Sequence, residues 1–239
     1  MEILKLGADT CCLDKAKYEN CKEDCRIVDL SECVELKEIP ESMFLDWTAL
    51  EEVMLPAGLE KIGDFAFMGT SSLTKLNLPD NIKEIGDVSF DGSGLEILEL
   101  PSSLERIKQI GSLDNLKLLD MSKCVNIKKI PDYFLSGFER NRMVILPPYL
   151  EVIGDRSFRF VNYLIVPSTV KRIGEIEQVG IICLSENVES LRHMENCVFN
   201  VPEHLFEKYQ RLYKKENLDK KRNGYVNDLW RDWEYWYKK

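Results

Sequence analysis

A step of the form apolar-x-apolar recurs nine times along this chain: Val28-Asp-Leu30, Val53-Met-Leu55, Leu76-Asn-Leu78, Leu98-Glu-Leu100, Leu119-Asp-Met121, Val144-Ile-Leu146, Leu164-Ile-Val166, Ile182-Cys-Leu184 and Phe199-Asn-Val201. Successive steps lie 25, 23, 22, 21, 25, 20, 18 and 17 residues apart. A unit this short cannot bury its own apolar face. Stacking on the next unit is its only route to a core, so the repeat restricts the chain to a solenoid. The shrinking intervals predict thinner rungs at the C-terminal end.

After each step an apolar side chain returns about every third residue, as in Leu55-Pro-Ala-Gly-Leu59-Glu-Lys-Ile62 and Leu78-Pro-Asp-Asn-Ile82-Lys-Glu-Ile85. A period of three fits a coil that turns a corner at each step. Glycines after Ile62, Ile85, Ile153 and Ile173 are read as the residues that let the backbone bend there.

Three stretches carry the pattern most fully: residues 55 to 67 (LPAGLEKIGDFAF), 78 to 90 (LPDNIKEIGDVSF) and 146 to 158 (LPPYLEVIGDRSF). They resemble the BspA-like leucine-rich repeats of bacterial surface proteins. Two other rungs, around Cys33 and Cys124, are similar to the cysteine-containing leucine-rich repeat. The resemblance implies an α/β repeat solenoid with a parallel sheet on one face, short helices or turns opposite, and a helical C-terminal cap. Nine strands at about 4.8 Å would make a sheet roughly 40 Å long. The expected organisation is an N-terminal cap over 1–27, about nine rungs over 28–202, and C-terminal amphipathic helices over 203–239.

The formal charge is −9, and residues 203–239 carry ten Lys or Arg against seven Asp or Glu, which leaves −12 on the first 202. Phosphate binding needs a clustered positive field, so nucleic acid is not an expected partner. No apolar run approaches a membrane span and no basic, apolar leader follows Met1, so the sequence as written reads as cytoplasmic. Removal of a leader would make it a cell-surface or secreted protein.

Eight cysteines raise the question of metal or disulfides. The adjacent Cys11 and Cys12, with Cys21 and Cys25, match no common zinc spacing, and no metal or cofactor is expected. Cys33 and Cys124 fall in a column that continues through Gly58, Asn81, Ser103, Tyr149, Thr169 and Asn187. That column is expected to point inward and donate to turn carbonyls. His193 and His204 have no nucleophile or paired carboxylate at a catalytic spacing, so an enzyme is not expected. The recurrent Ile-Gly-Asp triplets are read as architecture rather than a nucleotide loop.

Strand residues alternate between faces, which places the side chains flanking each buried apolar residue on the concave, solvent side of the sheet. In the N-terminal rungs these are mostly polar. Leu118, Met143, Ile145, Tyr163, Ile165, Ile181 and Val198 then form one apolar patch, and contiguous patches of this kind mark interfaces. The expected function is a non-catalytic protein–protein interaction module, with another protein as partner and the chain itself a monomer. The alternatives are a bacterial surface adhesin for a host or matrix protein and an intracellular scaffold or regulatory subunit. Residues 225–237 repeat apolar side chains at helical spacing and include Trp230 and Trp233. This segment is expected to fold back over the patch and bury both tryptophans, the alternative being a helix left open for a partner or membrane surface.

Overall fold

The computed structural model describes residues 3–136, 143–179, 181–184, 186–192, 194–195, 197–200 and 203–217. Every apolar step identified above forms a strand of one parallel face, from Ile27–Asp29 to Val198–Asn200. Val28 lies opposite Val53 and Val53 opposite Leu76, and a second series runs Leu98, Leu119, Val144, Leu164, Ile182, Phe199. From Val28 to Leu164 these centre residues are buried, while both flanking side chains point outward. One more strand, Ile3–Lys5, pairs with Ile27–Asp29 and sets Leu4 opposite Val28. It lies inside the segment read as an N-terminal cap, and Leu4-x-Leu6 is its sequence signal.

The face is not one continuous sheet. It divides into four strands and six, with the break between Lys75–Leu76 and Ile97–Glu99. Leu76 follows Phe67 by nine residues, but Leu98 follows Phe90 by eight. The shorter connection draws Gly94 against the preceding rung, where its N–H donates to the Thr70 carbonyl at 3.1 Å and a Cβ would sit 2.4 Å from the Ser71 oxygen. The pairing lapses beside that tight passage.

Two further ladders complete the coil. Residues expected only to turn corners form two-residue parallel strands: Glu38–Ile39, Lys61–Ile62, Glu84–Ile85 and Arg106–Ile107 in one run, and Lys129–Ile130, Val152–Ile153, Arg172–Ile173 and Ser190–Leu191 in another. A third side is built of turns and short pairs such as Ile176–Glu177 with Met194–Glu195. In the short late rungs Ile176 and Met194 bury where earlier rungs use phenylalanine. Among the described residues the helices lie only at the ends: Lys15–Tyr18 and Glu19–Cys21 near the start, Glu203–Leu205 and Phe206–Asn217 at the close.

The glycines of the Ile-Gly-Asp triplets do a different job from the one expected. None of them has positive φ; a Cβ on Gly86 would lie 2.5 Å from the Asp64 nitrogen and carboxylate, and one on Gly63 would lie 2.6 Å from the Glu41 nitrogen. They are needed for close rung-on-rung contact. The aspartate that follows serves the same stacking. Asp64 accepts from the Asp87 amide at 2.7 Å, Asp132 from Asp155 at 3.0 Å, and Asp155 from Glu175 at 3.0 Å. The Asp87 amide, helped by Lys108, holds the Asp64 carboxyl below its ordinary pKa. The left-handed residue comes next: Phe65, Val88, Tyr133 and Arg156 all have φ between 53° and 57°. Each places its N–H on a carbonyl of the following rung, at 2.6 to 3.0 Å. Inter-rung bonds therefore offset the cost of a conformation that β-branched and bulky residues rarely adopt.

The serine in the same motif is buried and satisfied twice, Ser89 donating to Gly86 and Gly63 carbonyls and Ser157 to Gly154 and Pro131. Beyond it the rings of Phe44, Phe67 and Phe90 stack at 5.2 and 5.8 Å between centroids. Phe134 and Phe158 meet edge to face in the second half.

The cysteine column is of two kinds, which corrects the inward expectation. Cys33 and Cys124 are fully buried, and the Cys124 thiol contacts the Leu100 and Pro101 carbonyls. In the proline-type rungs the same position lies toward the surface, yet Asn81, Ser103, Thr169 and Asn187 still donate to carbonyls of the preceding rung at 2.6 to 3.1 Å. Those rungs reach the next inward residue in four positions, whereas the cysteine rungs take six and send the thiol in on the way.

At the C-terminal end Tyr209 of the final helix is buried, and the helix packs on Ser190–Leu191. Burial pushes the Tyr209 hydroxyl and the Cys124 thiol each up to about 12. Both are neutral acids whose folded pKa exceeds the unfolded value, so the native state holds protons that the unfolded chain releases first. The stability that these two groups contribute should be at its full value below pH 9 and fall as pH rises from 9 toward 12, each tenfold change in proton affinity counting for about 1.4 kcal/mol. Urea midpoints measured across that range check this; a flat profile would contradict the burial of both groups.

Candidate interaction face

Chemistry begins with which outward side chains the register aligns. On the second ladder, the residue before each short strand alternates in sign through Lys37, Glu60, Lys83 and Glu105, then Lys128, Glu151, Lys171 and Glu189. Ion pairs join neighbours, as in Lys83–Glu60 at 2.7 Å and Lys171–Glu151 at 3.5 Å, and one residue on, Lys61–Glu38 at 2.9 Å and Arg106–Glu84 at 2.6 Å. Exposed pairs of this kind add little stability singly. Their order keeps unlike charges together in the native stacking and makes this side mainly hydrophilic.

The first face differs. Cα pairing places Ile97, Leu118, Met143 and Tyr163 in one outward column, which Ile181 and Val198 continue by register. The adjacent column reads Glu99, Asp120, Ile145, Ile165. Ile97 is 52% exposed, Met143 38%, Tyr163 52% and Ile165 54%, and Leu118 and Ile145 are half-buried between them. Ten large apolar side chains are exposed among the described residues, and these four lie on four successive strands, with Leu118 and Ile145 between them. Singly exposed apolar residues are ordinary, whereas a contiguous strip is not.

A polar edge closes the strip on its N-terminal side. Lys117 pairs with Glu96 at 2.7 Å and Lys123 with Glu99 at 3.6 Å. Asp120 is turned to structural use, accepting from the Ser122 amide at 2.8 Å, as Asp29 does from Ser31 in the other cysteine rung. An apolar centre with a polar rim is the usual anatomy of a protein interface.

The expected residues Leu118, Met143, Ile145, Tyr163 and Ile165 are thus brought together on one face, with Ile181 and Val198 next in register. Ile97 joins them and was missed, because the N-terminal rungs were read as polar as a group. Trp230 and Trp233 lie outside the described residues.

Beside the strip, where the sheet breaks, is an open cleft of about 440 Å³ lined by Lys75, Asn77, Asp80, Glu99 and Lys123 among others. Among the described residues no group of three or more His, Cys, Asp or Glu is placed to hold a metal ion, and no helix is long and apolar enough to cross a membrane.

No curated protein matches the chain. Among solved structures, a leucine-rich repeat protein from Bacteroides ovatus superposes with a TM-score of 0.51 at 16% identity, over 84% of this chain and 64% of that one. This chain therefore spans less than two thirds of that protein's length. The pneumococcal vaccine antigen PcpA gives a TM-score of 0.35 at 18% identity over 80% and 66%, and a leucine rich cell surface protein from Faecalibacterium prausnitzii gives 0.32 at 16% over 84% and 65%. Those two superpositions are too loose to carry an argument. The sequence model of the BspA type leucine rich repeat region matches residues 37–164 in six copies, more than half the chain. Together with the stacked parallel coils, that match makes this chain a member of the BspA-type leucine-rich repeat family.

Proposed function

We propose that this chain is a non-catalytic binding module that recognises another protein through the strip formed by Ile97, Leu118, Met143, Ile145, Tyr163 and Ile165. The carrying observation is the in-register exposure of Ile97, Met143, Tyr163 and Ile165 on adjoining rungs, inside a polar rim. Rigid strands hold these side chains in place before binding, so little conformational entropy is lost when they are covered. Aromatic and aliphatic anchors of this type supply most of the energy of protein interfaces.

A partner isolated with the wild-type chain should lose affinity at least about tenfold against Ile165→Asp, which sets an unpaired charge among the apolar side chains of the contact, about 1.4 kcal/mol or more. Lys61→Ala on the charged ladder should leave affinity unchanged. Isothermal titration of both variants decides the matter. Equal affinity for wild type and Ile165→Asp would remove the strip from recognition.

A further inference from the structure

We infer that, in the isolated protein, the strip is occupied by the chain's own residues 218–239, which a partner must displace; this rests on the reading of the strip as the binding face. The final helix, Phe206–Asn217, is seated on the last rung through buried Tyr209 and through Lys208, whose ammonium reaches the Glu186 carbonyl. The helix that the following 22 residues continue is thus anchored at the end of the array where the apolar column also ends, at Val198. From the Val198 strand to the Leu118 strand is four strand spacings, about 19 Å. A helix of this segment's length would span about 33 Å and an extended chain about 70 Å, so its reach is ample.

Composition and charge suit that occupant. Residues 218–239 contain Tyr225, Trp230, Trp233, Tyr235, Trp236 and Tyr237, three of the protein's four tryptophans. Val226, Leu229, Trp230, Trp233 and Tyr237 recur at three- and four-residue spacing, which would give one helical face for the strip. Six Lys or Arg against four Asp or Glu give the segment +2, and the remaining 217 residues carry −11. Tethering raises the local concentration of this ligand to about the millimolar range, so even weak contact is populated before a partner arrives.

Tryptophan fluorescence of the full chain tests the proposal, because Trp47 is fully buried and contributes a protected background. Wild-type emission should be blue-shifted and protected from acrylamide, with no change on dilution of the monomer. Quenching should rise several-fold in the full chain carrying Tyr163→Asp and Ile165→Asp, both at exposed positions. Trp230→Ser with Trp233→Ser leaves the array untouched, and should make Trp236 quenchable and increase binding of an apolar dye. Freely quenchable wild-type tryptophans overturn the proposal, and so does protection that vanishes on dilution together with a dimer, which would make a second copy the occupant. If the tryptophans are exposed and Ile165→Asp still weakens partner binding, the docked segment is refuted while the protein-binding reading stands. Protection that the strip variant releases, with partner affinity unaffected, supports docking and refutes the partner-binding reading.

Discussion

Phe67→Ala should cost about 3 to 5 kcal/mol, the range for truncating a buried phenylalanine. Phe67 is fully buried and is the middle ring of the stack, 5.2 Å from Phe44 and 5.8 Å from Phe90. Its removal opens a gap between the Phe44 and Phe90 rings on either side. In a solenoid, stability is a sum of rung and nearest-neighbour contributions, so the loss should be felt unevenly. Rungs before the sheet break should melt ahead of those after it. Urea unfolding followed by hydrogen exchange along the chain would show a new early phase confined to residues before about Ile97. A single cooperative transition with a midpoint near that of wild type would mean that the stack contributes little.

Gly86→Ala should destabilise by about 3 kcal/mol, through overpacking and through loss of a hydrogen bond to a charged group. The added methyl would meet the Asp64 nitrogen and carboxylate at 2.5 Å and the Gly63 carbonyl carbon at 2.6 Å. Two of these three atoms are backbone of the preceding rung, which a side-chain rotation cannot move aside. Relief requires moving the Asp64 carboxylate off the Asp87 amide or prising the two rungs apart. Gly58→Ala meets its nearest backbone atom at 3.2 Å and should cost less than about 1 kcal/mol. Equal midpoints for the two variants in denaturant would show that the triplet glycines are not contact residues.

The repeat was legible because burial selects for it: one apolar centre per strand, from Val28 to Phe199, is the minimum that stacked rungs need. Within each of the two sheets, pairing follows the sequence alignment residue for residue. The Ile-Gly-Asp triplet was visible as a motif but not as a mechanism, since the contact of Gly86 with Asp64 joins residues 22 apart. Positive φ at Phe65, Val88, Tyr133 and Arg156 had no signal at all. Inter-rung hydrogen bonds impose it on whichever residue follows the aspartate. The break in the sheet has no signal in spacing alone: the connection from Phe90 to Leu98 is one residue shorter than that from Phe67 to Leu76, yet the six-residue connection from Phe158 to Leu164 keeps its pairing. Outward columns follow from strand alternation, which is why the exposed positions of Met143, Tyr163 and Ile165 are legible in the sequence, while Ile97 sits among polar neighbours that hide it.

Photo-crosslinking tests most directly whether that strip is the recognition surface. A benzophenone amino acid replacing Tyr163 keeps an aromatic side chain at an exposed position, and the same group replacing Glu38 sits on the charged ladder. On irradiation in the native host cell, the Tyr163 position should yield a discrete adduct with a second protein and the Glu38 position none. Adducts formed from the Glu38 position and absent from the Tyr163 position would place recognition on the charged ladder and contradict the strip as the recognition surface.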